Sequence, residues 1–162
     1  KSPQELYSAI VSVFTQFVDA VAAKGPSFVR SIKKKIEDAV LLEQRMLLDM
    51  IPALERILGP SQDKRNGTSN NVPKEFSQSS DEVACFHYVF KMFVRAISSP
   101  EYRIVILLDD LQYADQSSMD LLQSLVADKD NSGILFVGTV QVDKKNEQVY
   151  KFIKSVETKE IT

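Results

Sequence analysis

From Leu6 to Val21 the apolar residues Leu6, Ile10, Val13, Phe14, Phe17, Val18 and Val21 recur at spacings of three and four. That is the period of a helix with one broad buried face. Pro3 opens it with Ser2 as a cap, and Gly25-Pro26 stops it. A second helical stretch starts at Ser27, with Phe28, Ile32, Ile36, Ala39, Val40 and Leu42 as its stripe. Lys33, Lys34 and Lys35 fall on it and read as a solvated face rather than as a phosphate or nucleic-acid patch. Met46 to Leu58 continues the pattern, with Pro52 either kinking that helix or starting a new one, and Gly59-Pro60 ends it.

Residues 59 to 81 lose the pattern and are rich in Gly, Pro, Ser, Asn and charge, which predicts a mobile surface loop. The sequon Asn66-Gly67-Thr68 within it reads as chance, because no secretion signal accompanies it. Glu82 to Ser98 is again helical, striped by Phe86, Val89, Phe90, Phe93, Val94 and Ile97. Cys85 and His87 lie beside that stripe and read as a small packed thiol and a lone imidazole. Positions two apart on a helix do not face each other, so they make no nucleophile–base pair.

The period then changes. Ile104 to Leu108 is an unbroken branched-aliphatic run, the signature of a parallel strand buried on both faces. A helix from Asp115 to Ala127 follows, with a capping-box-like start at Ser117 and Asp120 and a core face of Met119, Leu122, Leu125 and Val126. Asp130 to Gly133 leads to a second buried strand, Ile134–Val137, and residues 147 to 156 form a last helix on Val149, Phe152, Ile153 and Val156. Strand, helix, strand is a right-handed βαβ unit. The reading is a helix-rich α/β fold without internal repeats.

Composition narrows the function. The chain has 162 residues, enough for one domain, and 44% apolar residues, enough for a core. A net charge of −2 excludes a nucleic-acid binder driven by bulk positive charge. One cysteine and one histidine exclude a disulfide scaffold, a thiolate zinc site and a His-rich metal site. No apolar run approaches the ~18 residues of a membrane helix, and no signal peptide is visible, so a cytoplasmic protein without membrane contact is expected. The chain begins at Lys1 rather than Met, which suggests a piece of something longer.

The candidate chemistry lies in Ile104 to Asp115, IVILLDDLQYAD. A buried strand delivers its carboxyl end to the rim where open α/β sheets bind ligands. An acid there, Asp109, can hold Mg²⁺ through waters, and a second, Asp110, can orient and polarise an attacking water. The bland alternative is a pair of loop-starting aspartates.

The segment LLDDLQYADQSSMDLLQSL resembles the Walker B region of the signal-transduction (STAND) branch of AAA-type P-loop ATPases, the origin-recognition-like AAA ATPases. In that group a Leu-Gln-aromatic-Ala-Asp turn follows the acids; the aromatic is usually Trp and here is Tyr113. LYSAIVSVFTQF is similar to the segment that follows the P-loop, LLDMIPALERILG to the IPxLxxxxG helical segment, and FHYVFKMFVRAISSPEYRIVILLDD to the lead-in to the Walker B strand. The resemblance spans most of residues 6 to 142 in order. It is similar to the predicted-ATPase module of multidomain signalling kinases.

The resemblance implies part of a three-layer P-loop sandwich, with only the Walker B strand and the parallel strand after it present. Residues 1–58 would be its helical region, 59–81 a loop, 82–142 the helix, Walker B strand, helix and sensor strand, and 143–162 a terminal helix. It implies ATP and Mg²⁺ as ligands, Asp109 and Asp110 at the nucleotide, Asp109 on the metal, Asp110 as catalytic acid and Gln141 as sensor. Its partners would be other domains of the same polypeptide, and a homo-oligomer.

Two departures matter. No GxxxxGKS or GxxxxGKT occurs; the glycines at 25, 59, 67, 133 and 138 are isolated, and Lys24-Gly25 is in the wrong order. The simplest account is the C-terminal part of an ATPase domain cut off upstream, inactive alone; the other is a gene that has lost nucleotide binding. Gln141 also stands where the family usually carries an arginine, so it offers hydrogen bonds but no charge. Two parallel strands leave two open sheet edges, which predicts a marginal or aggregation-prone chain in isolation. The competing function is a pseudo-ATPase that serves as a helical docking platform through residues 3–58 and the helix around Phe90. A DNA loader of the origin-recognition kind is disfavoured by the acidic balance and by the lack of a winged-helix pattern.

Overall fold

The computed structural model describes residues 7–40, 43–60, 80–141 and 147–157. The chain runs α1 (Ser8–Ala23), α2 (Pro26–Ala39), α3 (Gln44–Met50), a 3₁₀ turn (Pro52–Leu54), α4 (Glu55–Leu58), α5 (Ser80–Ile97), β1 (Ile104–Leu108), a 3₁₀ turn (Leu111–Tyr113), α6 (Gln116–Val126), β2 (Ile134–Gly138) and α7 (Glu147–Glu157). The expected start at Pro3, the apolar position Leu42, most of the polar loop with its sequon at Asn66, and residues 142–146 lie outside the described residues.

The described part of helix α1 starts directly after a left-handed residue. Tyr7 has φ 61, a left-handed conformation, and the helix begins at Ser8. Gly25 at φ 93 turns the chain after α1, and Pro26, with φ preset and no N–H to satisfy, opens α2. Pro52 starts a new element rather than kinking an old one. Ile51 before it is pushed to φ −122, ψ 79, so α3 closes at Met50 and a 3₁₀ turn leads into α4.

The helices converge on an aromatic cluster. Phe14 of α1 meets Phe90 and Phe93 of α5 at ring-centroid distances of 5.1 and 5.4 Å, and Phe86 meets Phe90 at 5.5 Å. Such tilted and edge-to-face pairs add about 0.5–1.5 kcal/mol each beyond burial. The same core continues through Ile106 and Leu108 of β1 and Met119, Leu121, Leu122 and Leu125 of α6.

β1 and β2 pair in parallel, Ile104 opposite Ile134 through to Leu108 opposite Gly138, with α6 as the crossover. The fold is therefore helix-rich α/β, with a two-stranded parallel sheet among the described residues. Gly133 is required just before β2, because a Cβ there would lie 2.4 Å from the backbone nitrogen of Ser99.

The strands are not buried on both faces, which corrects the expectation from their composition. Ile106 and Leu108 point into the core, while Val105 is 58% exposed, Leu107 72% and Leu135 58%. The core lies on one face of the sheet, and the period-2 alternation turns the other aliphatic set to the open side. Composition alone could not separate these cases, since both faces carry the same residue types.

Candidate functional site

The carboxyl ends of the two strands form one hydrogen-bonded rim. Thr139, directly after β2, is its centre. Its N–H donates to Leu108 O at 2.9 Å and its carbonyl accepts from Leu111 N at 3.0 Å, clamping the chain on either side of the two acids. Its hydroxyl accepts from Asp110 N at 2.9 Å and donates to the Asp109 carboxylate. Asp110 sits at φ 55, ψ 52, the left-handed region that Asp tolerates better than most residues. That turn ends β1 abruptly and presents both carboxylates to solvent.

Gln112 extends the network. Its side-chain N–H donates to Asp110 Oδ1 at 2.7 Å, and its carbonyl accepts from the backbone N–H of Gln141 at 3.2 Å. The structure thus brings Asp109 and Asp110 into one cluster with the backbone of Gln141, which is distant from them in sequence. Thr139 and Gln112, which sequence reasoning passed over, hold it together. The signal for Thr139 was available: a hydroxyl residue directly after the second strand, opposite the acids at the end of the first.

Among the described residues neither Asp109 nor Asp110 is in an ion pair, and no group of three or more His, Cys, Asp or Glu could hold a metal. The donors are two carboxylates and a hydroxyl, hard oxygens of the kind Mg²⁺ accepts while keeping several waters. They fit one side of a hydrated Mg²⁺. No phosphate-cradling motif is available to fit the nucleotide's phosphates.

Asp115, the last acid of the same motif, has a different task. It caps α6 by accepting from Ser118 N at 2.8 Å and Ser118 Oγ at 2.6 Å. It also accepts from Tyr7 N and Ser8 N at 3.1 Å each and from Ser8 Oγ at 3.2 Å. One carboxylate thereby joins the first turns of α1 and α6. Burial alone would raise its pKa, but the hydrogen bonds from Ser118, Tyr7 and Ser8 outweigh that and hold it below the usual value. This corrects the expected capping start at Ser117 and Asp120; Asp120 instead accepts from Gln116 Nε2 at 2.7 Å.

Beside this junction, burial together with the charges of Asp120 and Asp115 pushes the Tyr7 phenol up to about 12. Its hydroxyl lies 3.4 Å from His87 Nε2, and burial lowers the His87 pKa, opposed by Asp120 and aided by Lys91. Cys85 is exposed, not packed as expected, because it falls outside the Phe86–Phe90 stripe. Of the three lysines, Lys33 donates to Leu58 O at 2.7 Å at the end of α4, and Lys35 lies 4.8 Å over the Tyr102 ring.

No family model matches the chain, and neither a curated protein nor a solved structure matches it. No helix among the described residues is long and apolar enough to cross a membrane.

Proposed function

We propose that this chain forms the Walker B and sensor half of an ATP-dependent switch domain of the signal-transduction AAA type, in a larger signalling protein. The observation that carries the reading is the rim itself: Asp109 and Asp110 at the carboxyl end of β1, joined through Thr139 to the same end of its parallel neighbour β2. Ligand sites of open α/β sheets lie at this edge.

In this reading Asp109, oriented by the Thr139 hydroxyl, and Thr139 itself face the metal side of Mg²⁺-ATP. Bound Mg²⁺ would neutralise phosphate charge. Asp110 orients and polarises the attacking water, with Gln112 fixing its carboxylate. Gln141, tied to Gln112 through its backbone, serves as an uncharged sensor. It supplies no positive charge to the transferred group, so binding survives better than fast hydrolysis. The phosphate cradle must come from elsewhere in the polypeptide.

The test is thermal denaturation of a polypeptide that joins this chain to a P-loop strand and helix. Mg²⁺-ATP should raise the melting temperature, and Asp109→Ala should abolish the part of the rise that needs Mg²⁺. No Mg²⁺-ATP-dependent rise would refute the switch reading.

A second reading, a pseudo-ATPase acting as an interaction platform, is favoured by one observation. The open sheet face carries four solvent-exposed aliphatic residues in register, Val105 opposite Leu135 and Leu107 opposite Val137. A nucleotide-independent partner that covers this face would favour it.

A further inference from the structure

The outer edge of β1 offers a second binding surface that does not depend on the nucleotide reading. Ile104 N donates to Gly133 O at 2.8 Å and Leu108 O accepts from Thr139 N at 2.9 Å, so these residues turn their backbone toward β2. Backbone groups alternate sides along a strand, so the N–H and C=O of Val105 and Leu107 point the other way. No described strand meets them there. Protein edges are ordinarily blunted by Lys, Pro or a bulge, and Ile104–Leu108 contains neither residue and pairs without a bulge.

That edge forms one wall of a 530 Å³ groove. Val13 and Phe17 of α1 and Phe28 of α2 line the groove opposite residues 103–107. It is within the size range of ligand sites. Its charged lining is biased in sign. Lys24 and Arg103 line it against the single carboxylate Glu101, and Lys35 stacks on the Tyr102 ring that also lines it. Lys24 lies 4.9 Å over the Phe28 ring, and among the described residues neither Lys24 nor Arg103 has an acidic partner.

We propose that this groove takes an extended peptide segment that adds a strand to the outer edge of β1. Its apolar side chains rest on Val13, Phe17 and Phe28, and an acidic side chain at one end meets Lys24 and Arg103. A docked helix satisfies its own backbone and would leave the Val105 and Leu107 groups unpaired, whereas an added strand pairs them and draws specificity from alternate side chains. Two cations facing one carboxylate select an acidic rather than a basic end. The groove ends before Asp109 and is separate from the rim.

The probes are two synthetic heptapeptides of alternating Val and Thr, one with Asp at its amino end and one with Asp at its carboxyl end, each with a Lys counterpart. They are titrated into the ¹⁵N-labelled 162-residue chain. One of the two Asp peptides should slow amide exchange of Val105 and Leu107 at least tenfold and shift the resonances of α1 around Phe17. Its Lys counterpart should bind at least tenfold more weakly. The double variant Lys24→Glu with Arg103→Glu, two exposed positions that the core does not need, should reverse that preference. The proposal fails if neither Asp peptide protects Val105 and Leu107, or if the Lys counterpart binds equally well. It also fails if those amides are already protected without peptide in a species that sediments as a dimer, since a second copy would then hold the edge.

Discussion

Replacing Asp115 with alanine removes five hydrogen bonds at once and unfastens the junction between α1 and α6. Loss of an Asp N-cap costs about 1 kcal/mol. Ser118 is fully buried, and stranding its hydroxyl adds about 1–3 kcal/mol. The contacts to Ser8 are exposed and add little. The sum is roughly 3 kcal/mol, which for a chain of this size lowers the melting temperature by about 6–12 °C. The pH dependence carries the sharper test. The folded-state pKa of Asp115 is depressed, so its stabilisation is complete above the ordinary unfolded-state value of about 3.9. It is lost as pH falls through the depressed folded value. Urea denaturation followed by far-UV circular dichroism, for wild type and Asp115→Asn, should show a gap at pH 7 that narrows steadily below pH 4. A gap that stays constant from pH 7 to pH 3, or a loss for Asp115→Ala below 1 kcal/mol, would refute the assignment of a charged double cap.

Other predictions concern the rim and the turn before β2. In the P-loop-bearing polypeptide, Asp110→Asn should slow ATP hydrolysis at least tenfold while changing nucleotide affinity little; unchanged turnover removes Asp110 from the mechanism. Gln141→Arg should raise turnover in the same assay, and no rise would mean that Gln141 does not face the transferred group. Gly133→Ala forces a Cβ to 2.4 Å from the Ser99 backbone and should cost about 1–3 kcal/mol in urea denaturation; a neutral effect would mean that the Ser99 and Gly133 segments separate easily.

Much of the architecture was legible because it follows from period and punctuation. The stripes around Phe14 and Phe90, the breaks at Gly25-Pro26 and Pro52, and the change to a continuous aliphatic run at Ile104 are local signals, and the elements follow them. Which face of β1 stays open was not legible, because Val105, Ile106 and Leu107 are chemically alike and only the three-dimensional placement of the helices distinguishes them. The acids of the rim were legible as a pattern. Thr139, thirty residues from Asp109 and bonded to it, is a tertiary partner that becomes visible only once the two strands are paired in parallel and their ends brought together. Asp115 shows the same limit. Its motif marks a turn, but its bonds to Tyr7 and Ser8 span more than a hundred residues. Tyr7 itself reads as an ordinary helical residue, yet its backbone is left-handed, and in that conformation its N–H and the next one both donate to the distant carboxylate.

The most direct test of the nucleotide-rim reading replaces Mg²⁺ with paramagnetic Mn²⁺, which accepts the same oxygen ligands. In ¹H–¹⁵N spectra of the ¹⁵N-labelled P-loop-bearing polypeptide, low Mn²⁺ with ATP should broaden the amides of Asp109, Asp110, Thr139 and Gln141 first, and excess Mg²⁺ should restore them. Asp109→Asn should remove that broadening. Broadening that spares these four amides, or that survives Asp109→Asn unchanged, would contradict the account.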